Sequence, residues 1–267
     1  MYGAILGDII GSPYEHGTSG KTKDFPLFVR ECRFTDDTVM TIAVGDAFLN
    51  ARGETDDHAI QRHLVRAMQR WGRCYPDAGY GARFSWWLTD PHPQPYNSWG
   101  NGSAMRVCAA GWLFADLPTV RRMARLSADV SHNHPEGIKG AEAVAAAIYL
   151  ARTGRSKAAI KAYIEAEFGY DLSRSCDEIR PGYRFHASCQ GTVPEAVTAF
   201  LEGRGFEDVI RTAVSLGGDC DTLTAIAGSM AEAFYGVPEN LKAQCRRRLP
   251  ADLRQVVDRF DAAINHE

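Results

Sequence analysis

Residues 217–236 read GGDCDTLTAIAGSMAEAFYG, and this stretch carries the clearest structural pattern in the chain. After Gly218, apolar side chains recur about every three to four residues, which is the spacing of one face of an α-helix. These side chains are Leu223, Ile226, Ala227, Met230, Ala231 and Phe234. The stretch therefore predicts a long helix with one face buried in the protein core.

The same periodicity dominates the rest of the sequence, and no alternating run of useful length predicts a β-strand. Helical stripes run through Ile60–Trp71, Val120–Ala128, Ile138–Ala151, Ile160–Phe168, Phe206–Val214 and Leu253–Ile264. Thr192-Val193-Pro194-Glu195 matches a capping box with proline in the first turn, which predicts a helix from there through Leu201. We therefore expect an all-α fold, a single compact domain over residues 1–267 with about ten helices around one core.

Three long stretches interrupt the helical pattern and are predicted to be functional loops. They are the polar stretch His16–Arg33, the stretch Arg73–Gly100 with its many Tyr, Trp, Pro and Gly residues, and the aromatic-containing stretch Gly169–Gly191. The aromatic residues of the second stretch are either core anchors or stacking walls for a base or sugar. They are Trp86, Trp87, Tyr96 and Trp99.

The composition is that of an ordinary globular protein, with 45% hydrophobic and 24% charged residues. A net charge of −3 gives no general attraction to nucleic acid or to an anionic membrane. Seven cysteines without a C-x-x-C pair argue against a disulfide framework or a zinc ribbon. The apolar run Ala143–Ala151 is too short to span a bilayer, and Asp8 comes too early for a signal peptide. We expect a soluble cytoplasmic protein, and no obligate protein partner is evident.

Two short stretches, far apart in the chain, each concentrate carboxylates at the start of a helical run. They are Thr35-Asp36-Asp37-Thr38 and Gly217-Gly218-Asp219-Cys220-Asp221-Thr222. Either one alone is explained as a helix N-terminus, where a threonine or aspartate caps and acids favour the helix dipole. Together they exceed what caps need, and carboxylate and hydroxyl oxygens suit hard cations such as Mg²⁺ or Mn²⁺. If the stretches meet in the fold, they would form a two-metal hydrolytic centre. Cys220 is interpreted as a packing residue, because thiolates prefer softer metals.

The N-terminal run has glycines at helical spacing, Gly3, Gly7 and Gly11. One face of such a helix is bare backbone, so we expect another helix to pack closely against it and to compensate for the low helix propensity of glycine. Asp8 and Glu15 would share a face if this helix continued, although the intervening proline argues against continuation.

Two further motifs are candidates for ligand binding. Asn101-Gly102-Ser103-Ala104-Met105-Arg106 is a glycine-containing turn that enters a helix, and its backbone N–H groups could receive a phosphate. Ser131-His132-Asn133-His134-Pro135 precedes another helix, and its histidines could be metal ligands, substrate contacts or an exposed turn. Neither motif decides between these readings alone.

Taken in order, these motifs resemble those of the ADP-ribosylglycohydrolase family, and the resemblance covers nearly the whole chain. It runs through Gly3–Glu15, Phe34–Thr38, Gly100–Arg106, Ser131–Pro135 and Gly217–Thr222 with the helix that follows. The resemblance implies an all-α fold with a binuclear Mg²⁺ or Mn²⁺ centre. It also implies cleavage of the ribose C1″ glycosidic bond that joins ADP-ribose to a modified acceptor.

The resemblance implies a role for each matching residue. One metal would be bound by Thr35, Asp36 and Asp37, and the other by Asp219 and Thr222, with Asp221 bridging. Glu15 would help to activate water or shield the site, so the residues expected at the chemical step are Glu15, Asp36 and Asp221. The substrate would contact the segment Gly100, Asn101, Gly102, Ser103, Ala104 and Met105, together with His132. Tyr183 and Phe185 are candidates for stacking on adenine.

Two alternatives remain open at this stage. The chain could be a catalytically inactive relative that binds ADP-ribose or has a structural role, or a two-metal phosphoesterase that acts on a nucleotide. The acceptor could be a protein side chain, a nucleic acid or a small molecule. The complete acid set at Glu15, Asp36, Asp37, Asp219 and Asp221 argues against lost catalysis.

Overall fold

The computed structural model of the chain describes residues 1–17 and 20–265, and for residues 16 and 17 it describes only the backbone. Fifteen α-helices fall within this described part: α1 (Tyr2–Gly11), α2 (Asp36–Asn50), α3 (Asp57–Cys74), α4 (Ala82–Thr89), α5 (Gly102–Met105), α6 (Cys108–Leu113), α7 (Leu117–Asp129), α8 (Pro135–Arg152), α9 (Lys157–Phe168), α10 (Cys176–Ile179), α11 (Cys189–Glu202), α12 (Phe206–Leu216), α13 (Cys220–Tyr235), α14 (Glu239–Arg248) and α15 (Ala251–Asn265). A 3-10 helix, Ser12–Gly17, follows α1. The described residues contain no β-strand, so the all-α prediction is confirmed, although with more helices than the ten expected.

Helix α13 lies at the centre of the fold. Its residues from Cys220 to Ala231 are all buried, and α1, α8, α11 and α12 pack around it. The apolar stripe predicted from residues 217–236 is therefore only part of its contact surface, since this helix is enclosed on every side over three turns. The first turn of α13, which carries the acids, thus lies close to several other helices.

The N-terminal glycines pack α1 against α13, as their spacing predicts. A Cβ atom on Gly3 would lie 2.1 Å from the carbonyl oxygen of Gly228, and one on Gly7 would lie 2.2 Å from that of Thr224. A Cβ on Gly11 would lie 2.6 Å from the carbonyl oxygen of Cys220. The two backbones therefore approach so closely that no larger residue fits, and Asp8 comes to the acidic end of α13.

We predict that Gly7→Ala destabilises the protein by about 2 kcal/mol net, because overpacking costs about 3 kcal/mol and better helix propensity returns about 1 kcal/mol. Urea denaturation would measure the change in the free energy of unfolding. Gly182→Ala is the matched control, since a Cβ at this exposed position would meet no atom within 4 Å. Equal stability of the two variants would contradict the close approach of α1 and α13.

The start of α11 corrects one sequence prediction. The helix begins at Cys189 with Ser188 as its cap, whose hydroxyl accepts from the N–H of Gly191 at 3.2 Å. Thr192 is not a cap, because its hydroxyl donates to the carbonyl of His186 at 2.9 Å. Pro194 lies inside the helix and has no N–H to donate to the carbonyl of Gln190, four residues earlier. Gln190 is exposed.

The long stretches between helices are more structured than predicted. Helix α4 lies within Arg73–Gly100, and the short helix α10 lies within Gly169–Gly191. Of the stretch His16–Arg33, residues 20–33 are irregular, while Thr18, Ser19 and the side chain of His16 lie outside the described residues. All seven cysteines are free, and none of the described helices is long and apolar enough to cross a membrane.

Candidate metal and substrate site

The first acidic stretch forms the N-terminus of α2. Thr35 has extended backbone angles, and its hydroxyl accepts from the N–H of Asp37 at 3.3 Å, so it caps the helix as predicted. Asp36 and Asp37 occupy the first turn, where the helix dipole favours negative charge. Capping thus uses only the threonine hydroxyl and leaves both carboxylates for other contacts.

The second acidic stretch forms the turn into α13. Gly217 and Gly218 both have positive φ, +73° and +77°, which favours glycine. A Cβ at Gly218 would also lie 2.6 Å from the ring of Tyr183. Asp219 is the N-cap residue but makes no side-chain capping bond, and Asp221 lies in the first turn. The turn therefore presents two carboxylates, of which only that of Asp221 accepts a backbone N–H of the helix, that of Thr222 at 2.9 Å.

The two stretches meet in the fold. The hydroxyl of Thr222 donates to Asp37 Oδ2 at 3.0 Å, across 185 positions of sequence. Carboxylate oxygens of Asp8, Asp37 and Asp221 lie within 4.8 Å of one another, as do those of Glu15, Asp219 and Asp221. Asp221 thus belongs to both groups and joins the ends of α2 and α13 into one acidic cluster.

Burial and mutual repulsion raise the pKa values of these carboxyl groups. Burial first, and then the charge of Asp221, raise the pKa of Asp8 to about 7 and that of Asp36 to about 8. The same two causes hold the pKa values of Asp37 and Asp219 well above the usual range. An ionised cluster of this kind is costly unless a cation neutralises it.

The five aspartates of the cluster have no cationic partner within the described part of the chain. There, Asp8, Asp36, Asp37, Asp219 and Asp221 form no ion pair with lysine or arginine. Asp37 Oδ1 is buried without a hydrogen-bond partner, which is otherwise rare for a buried polar atom. The donor set is all oxygen, so the residues fit hard divalent cations. Cys220 turns away, since its buried thiol points to the carbonyl of Val214.

Asp8 is the member of the cluster that the sequence reasoning did not assign to the site. Its carboxylate accepts from the N–H and hydroxyl groups of Thr35 and Thr38, so it fastens α1 to the start of α2. With four donors already bound, Asp8 positions Thr35 and adds negative charge. An acid inside the glycine pattern of a buried helix is the signal that could have revealed it, because buried acids need partners.

An open cleft of about 350 Å³ leads to the acidic cluster. Its walls include the acids and the predicted ligand segment: Glu15, Thr35, Asp36, Asp37, Asp219, Asp221, Thr222, Gly100, Asn101, Gly102, Met105 and His132. Residues of α4, including Phe84, and the aromatic residues Tyr96 and Phe185 also line the cleft. One cleft therefore brings together the acidic stretches, the glycine turn and the histidine.

Three residues predicted to contact substrate do not line the cleft. Ser103 is fully buried, and its hydroxyl donates to the carbonyl of Gly137 at 2.7 Å, while Ala104 packs in the core. Tyr183 is buried and donates its hydroxyl to the carbonyl of Gly191 at 2.7 Å. By contrast, Phe185 is 45% exposed and lines the cleft. Tyr183 instead packs beneath the glycine turn before α13.

The side chain of Asn101 faces the acids. Its amide nitrogen donates to Asp219 Oδ2 at 2.7 Å and lies 3.0 Å from the hydroxyl of Thr192. Helix α5 is only four residues long, and the side chain of Asn101 does not cap it. We therefore interpret Asn101 as a residue that orients Asp219. Asn101 also lines the cleft, so the substrate contact expected of it stays a prediction.

We predict that Asn101→Ala lowers affinity for Mg²⁺ or Mn²⁺ by about 10- to 100-fold, the usual effect of removing a group that orients a metal ligand. Without the amide, Asp219 loses its closest hydrogen-bond donor. Titration calorimetry of the chelator-treated protein would measure the affinity. Asn240→Ala, at an exposed position on α14, is the control, and equal affinities for both variants would refute the role of Asn101.

The structure is an all-α domain that directs buried carboxylates into an open cleft. Comparisons with known proteins identify the family to which the domain belongs. A family model described as ADP-ribosylglycohydrolase matches residues 1–267, so the chain belongs to the ADP-ribosylglycohydrolase family. Family membership makes the protein an ADP-ribosyl hydrolase, as its motifs predict.

Two curated relatives and one solved structure each match most of this chain. ADP-ribosylhydrolase ARH3 of Mus musculus is 28% identical over 92% of this chain and 86% of the relative. ADP-ribosylarginine hydrolase Tri1 of Pseudomonas putida (strain GB-1) is 25% identical over 89% of this chain and 70% of the relative. A solved structure described as an ADP-ribosylglycohydrolase-related protein complex superposes with a TM-score of 0.71 and 26% identity, covering 98% of this chain and 94% of that chain.

Proposed function

We propose that the protein is a binuclear-metal-dependent hydrolase that cleaves the ribose C1″ glycosidic bond of an ADP-ribosylated acceptor and releases ADP-ribose. The observation that carries this proposal is the sharing of Asp221 between two carboxylate groups at the cleft. Two cations held a short distance apart are the usual arrangement for directing water at a bond while stabilising developing charge.

The residues divide between two metal positions. Thr35, Asp36 and Asp37, at the start of α2, would hold one ion, and Asp219 and Thr222, at the start of α13, would hold the other. Asp221 would contact both. When bound, two Mg²⁺ or Mn²⁺ ions would supply the positive charge that polarises a water molecule and orients ribose hydroxyls.

The carboxylates then have two tasks in the reaction. Glu15 lines the cleft within 4.8 Å of Asp219 and Asp221, where it can accept a proton from an attacking water. Asp36 and Asp221 would place negative charge near the anomeric carbon, which becomes positive as the glycosidic bond breaks. The burial of these carboxylates strengthens that interaction, because little water screens it.

The rest of the cleft would bind the ADP-ribose. The turn Gly100–Gly102 has no side chain beyond that of Asn101, so its backbone can approach a diphosphate closely. His132 lies beside this turn, and the exposed ring of Phe185 offers a surface on which adenine can stack. We propose Phe185 for this stacking, because Tyr183 is buried away from the cleft.

Product identity would test the proposal. ADP-ribosylated protein, nucleic acid and small-molecule substrates, including ADP-ribosylarginine, would be incubated with the enzyme and Mg²⁺ or Mn²⁺, and products separated by chromatography and mass spectrometry. Free ADP-ribose from at least one substrate is the expected result. AMP or phosphate would identify a nucleotide phosphoesterase instead, and a lack of turnover with both metals would identify an inactive binding protein.

A further inference from the structure

His132 has one ring nitrogen in the protein interior and one at the cleft. Its Nδ1 lies 2.8 Å from the hydroxyl oxygen of Ser131. Its Nε2 faces the glycine turn, since a Cβ atom on Gly102 would lie 3.1 Å from it and one on Gly100 would lie 3.4 Å away. The nature of the contact that His132 offers a ligand therefore depends on which nitrogen carries the proton.

The hydrogen bond from Arg106 to Ser131 determines which nitrogen of His132 carries the proton. Nη2 of Arg106 donates to Ser131 Oγ at 2.9 Å and to the carbonyl of Ser127 at 2.7 Å, so each of its two hydrogens has an acceptor. An arginine nitrogen cannot accept a hydrogen bond, so the hydroxyl oxygen must accept here. The hydrogen of this hydroxyl is then left to donate to Nδ1 of His132.

The opposite tautomer would leave a buried donor unpaired. If Nδ1 carried the hydrogen, Ser131 Oγ would accept twice, and its own hydrogen would have no acceptor among its two partners. Ser131 is fully buried, so water cannot replace that bond, and an unsatisfied buried donor costs about 1–3 kcal/mol. The arrangement therefore strongly favours hydrogen on Nε2.

The surroundings also keep the ring uncharged. Burial first, and then the positive charge of Arg106, hold the pKa of His132 well below its usual range. Arg106 is itself fully buried and pairs with no carboxylate among the described residues, while its guanidinium lies 5.5 Å from the centre of the Phe84 ring. Because a buried, unpaired arginine is costly, packing alone does not account for it.

We propose that Arg106 and Ser131 are positioning residues that hold His132 as the neutral Nε2–H tautomer, a fixed hydrogen-bond donor at the Gly100–Gly102 turn. The matching ligand atom is an acceptor oxygen, from a phosphate or a hydroxyl group, and a ligand N–H at that position is disfavoured. The identity of the ligand rests on the proposed function, whereas the tautomer does not.

Nitrogen NMR of the metal-loaded full chain would test the tautomer directly. Protein labelled with ¹⁵N-histidine would give a ring pattern for each histidine, and His132→Gln would assign the signal of His132 by its loss. The wild-type spectrum should show hydrogen on Nε2 and an unprotonated Nδ1. A protonated Nδ1 in the wild type would overturn the proposal without the need for any further variant.

Ser131→Ala should remove the preference for hydrogen on Nε2 of His132, so that the spectrum shows a mixture of the two tautomers. It should also weaken ADP-ribose binding about 5-fold in calorimetry, as expected for one lost hydrogen bond. In turnover, KM should rise by a similar factor with kcat within about 2-fold, because the bond serves binding. Ser131→Thr, which keeps the hydroxyl, should restore the Nε2–H pattern.

Ser127→Ala is the matched control, since it removes another fully buried hydroxyl one helical turn earlier, and that hydroxyl bonds to the carbonyl of Ala124 rather than to Arg106. It should change neither the ring pattern nor the affinity. An unchanged tautomer in Ser131→Ala, or an equal change in Ser127→Ala, would overturn the proposal. A failed proposed function would look different: no substrate would release ADP-ribose, although the ring pattern and its dependence on Ser131 persisted.

Discussion

Asp221→Asn is expected to reduce kcat/KM for ADP-ribose release by about 1000-fold or more, which corresponds to roughly 4 kcal/mol of lost transition-state stabilisation. Asp221 is the carboxylate common to the two acidic groups, so its neutralisation weakens both metal positions at once. The replacement is nearly isosteric, and its oxygen can still accept the N–H of Thr222, which Asp221 accepts at 2.9 Å. Steady-state kinetics with saturating Mg²⁺ would measure the loss.

A stability measurement separates this effect from misfolding. Loss of one charge relieves repulsion with Asp8, Asp36, Asp37 and Asp219, so metal-free Asp221→Asn should be at least as stable as the metal-free wild type. Asp77→Asn, at an exposed position next to the cleft-lining Ala78, should keep full activity. Near-normal turnover by Asp221→Asn would rule out the assignment of Asp221 to the metals.

Chelation should lower the thermal stability of the protein, and the difference should grow with pH. Folding raises the pKa of Asp8 to about 7 and that of Asp36 to about 8, from an ordinary value of 3.8. At pH values between the unfolded and the folded pKa of these groups, the folded state binds more protons than the unfolded state. The free energy of unfolding of the metal-free protein therefore falls as pH rises from about 4 to about 8.

Metal binding reverses this trend, because the ligands must lose their protons to bind a cation. Excess Mg²⁺ or Mn²⁺ should therefore raise the melting temperature little at about pH 5 and by on the order of 10 °C at about pH 8. Calorimetric scans with metal and with EDTA, at several pH values, would measure the difference. A pH-independent difference would show that the buried carboxylates are not the ligands.

Much of the fold follows from local patterns in the sequence. The apolar stripe after Gly218 predicts α13, and the glycines of the N-terminal run predict the close approach of α1. Both patterns are read from neighbouring residues on a single helix, where 3.6-residue periodicity determines which side chains share a face. The acidic stretches at Asp36–Asp37 and Asp219–Asp221 also stand out locally, since they hold more carboxylates than helix caps need.

The remaining features depend on partners that are distant in the sequence. Asp8 acts through hydrogen bonds to Thr35 and Thr38, about 30 positions away, and Asn101 through Asp219, 118 positions away. Neither pairing has a local sequence signal. The start of α11 was mispredicted for a related reason, because the hydroxyl of Thr192 bonds outside the helix and Ser188 provides the cap.

Anomalous diffraction from crystals grown with Mn²⁺ would show whether the two acidic stretches bind two metal ions through a shared Asp221. We expect two manganese peaks in contact with Asp221, one also bound at the start of α2 and the other at the start of α13. A single peak, or manganese bound elsewhere with Asp221 uncoordinated, would be incompatible with a binuclear site at Asp221.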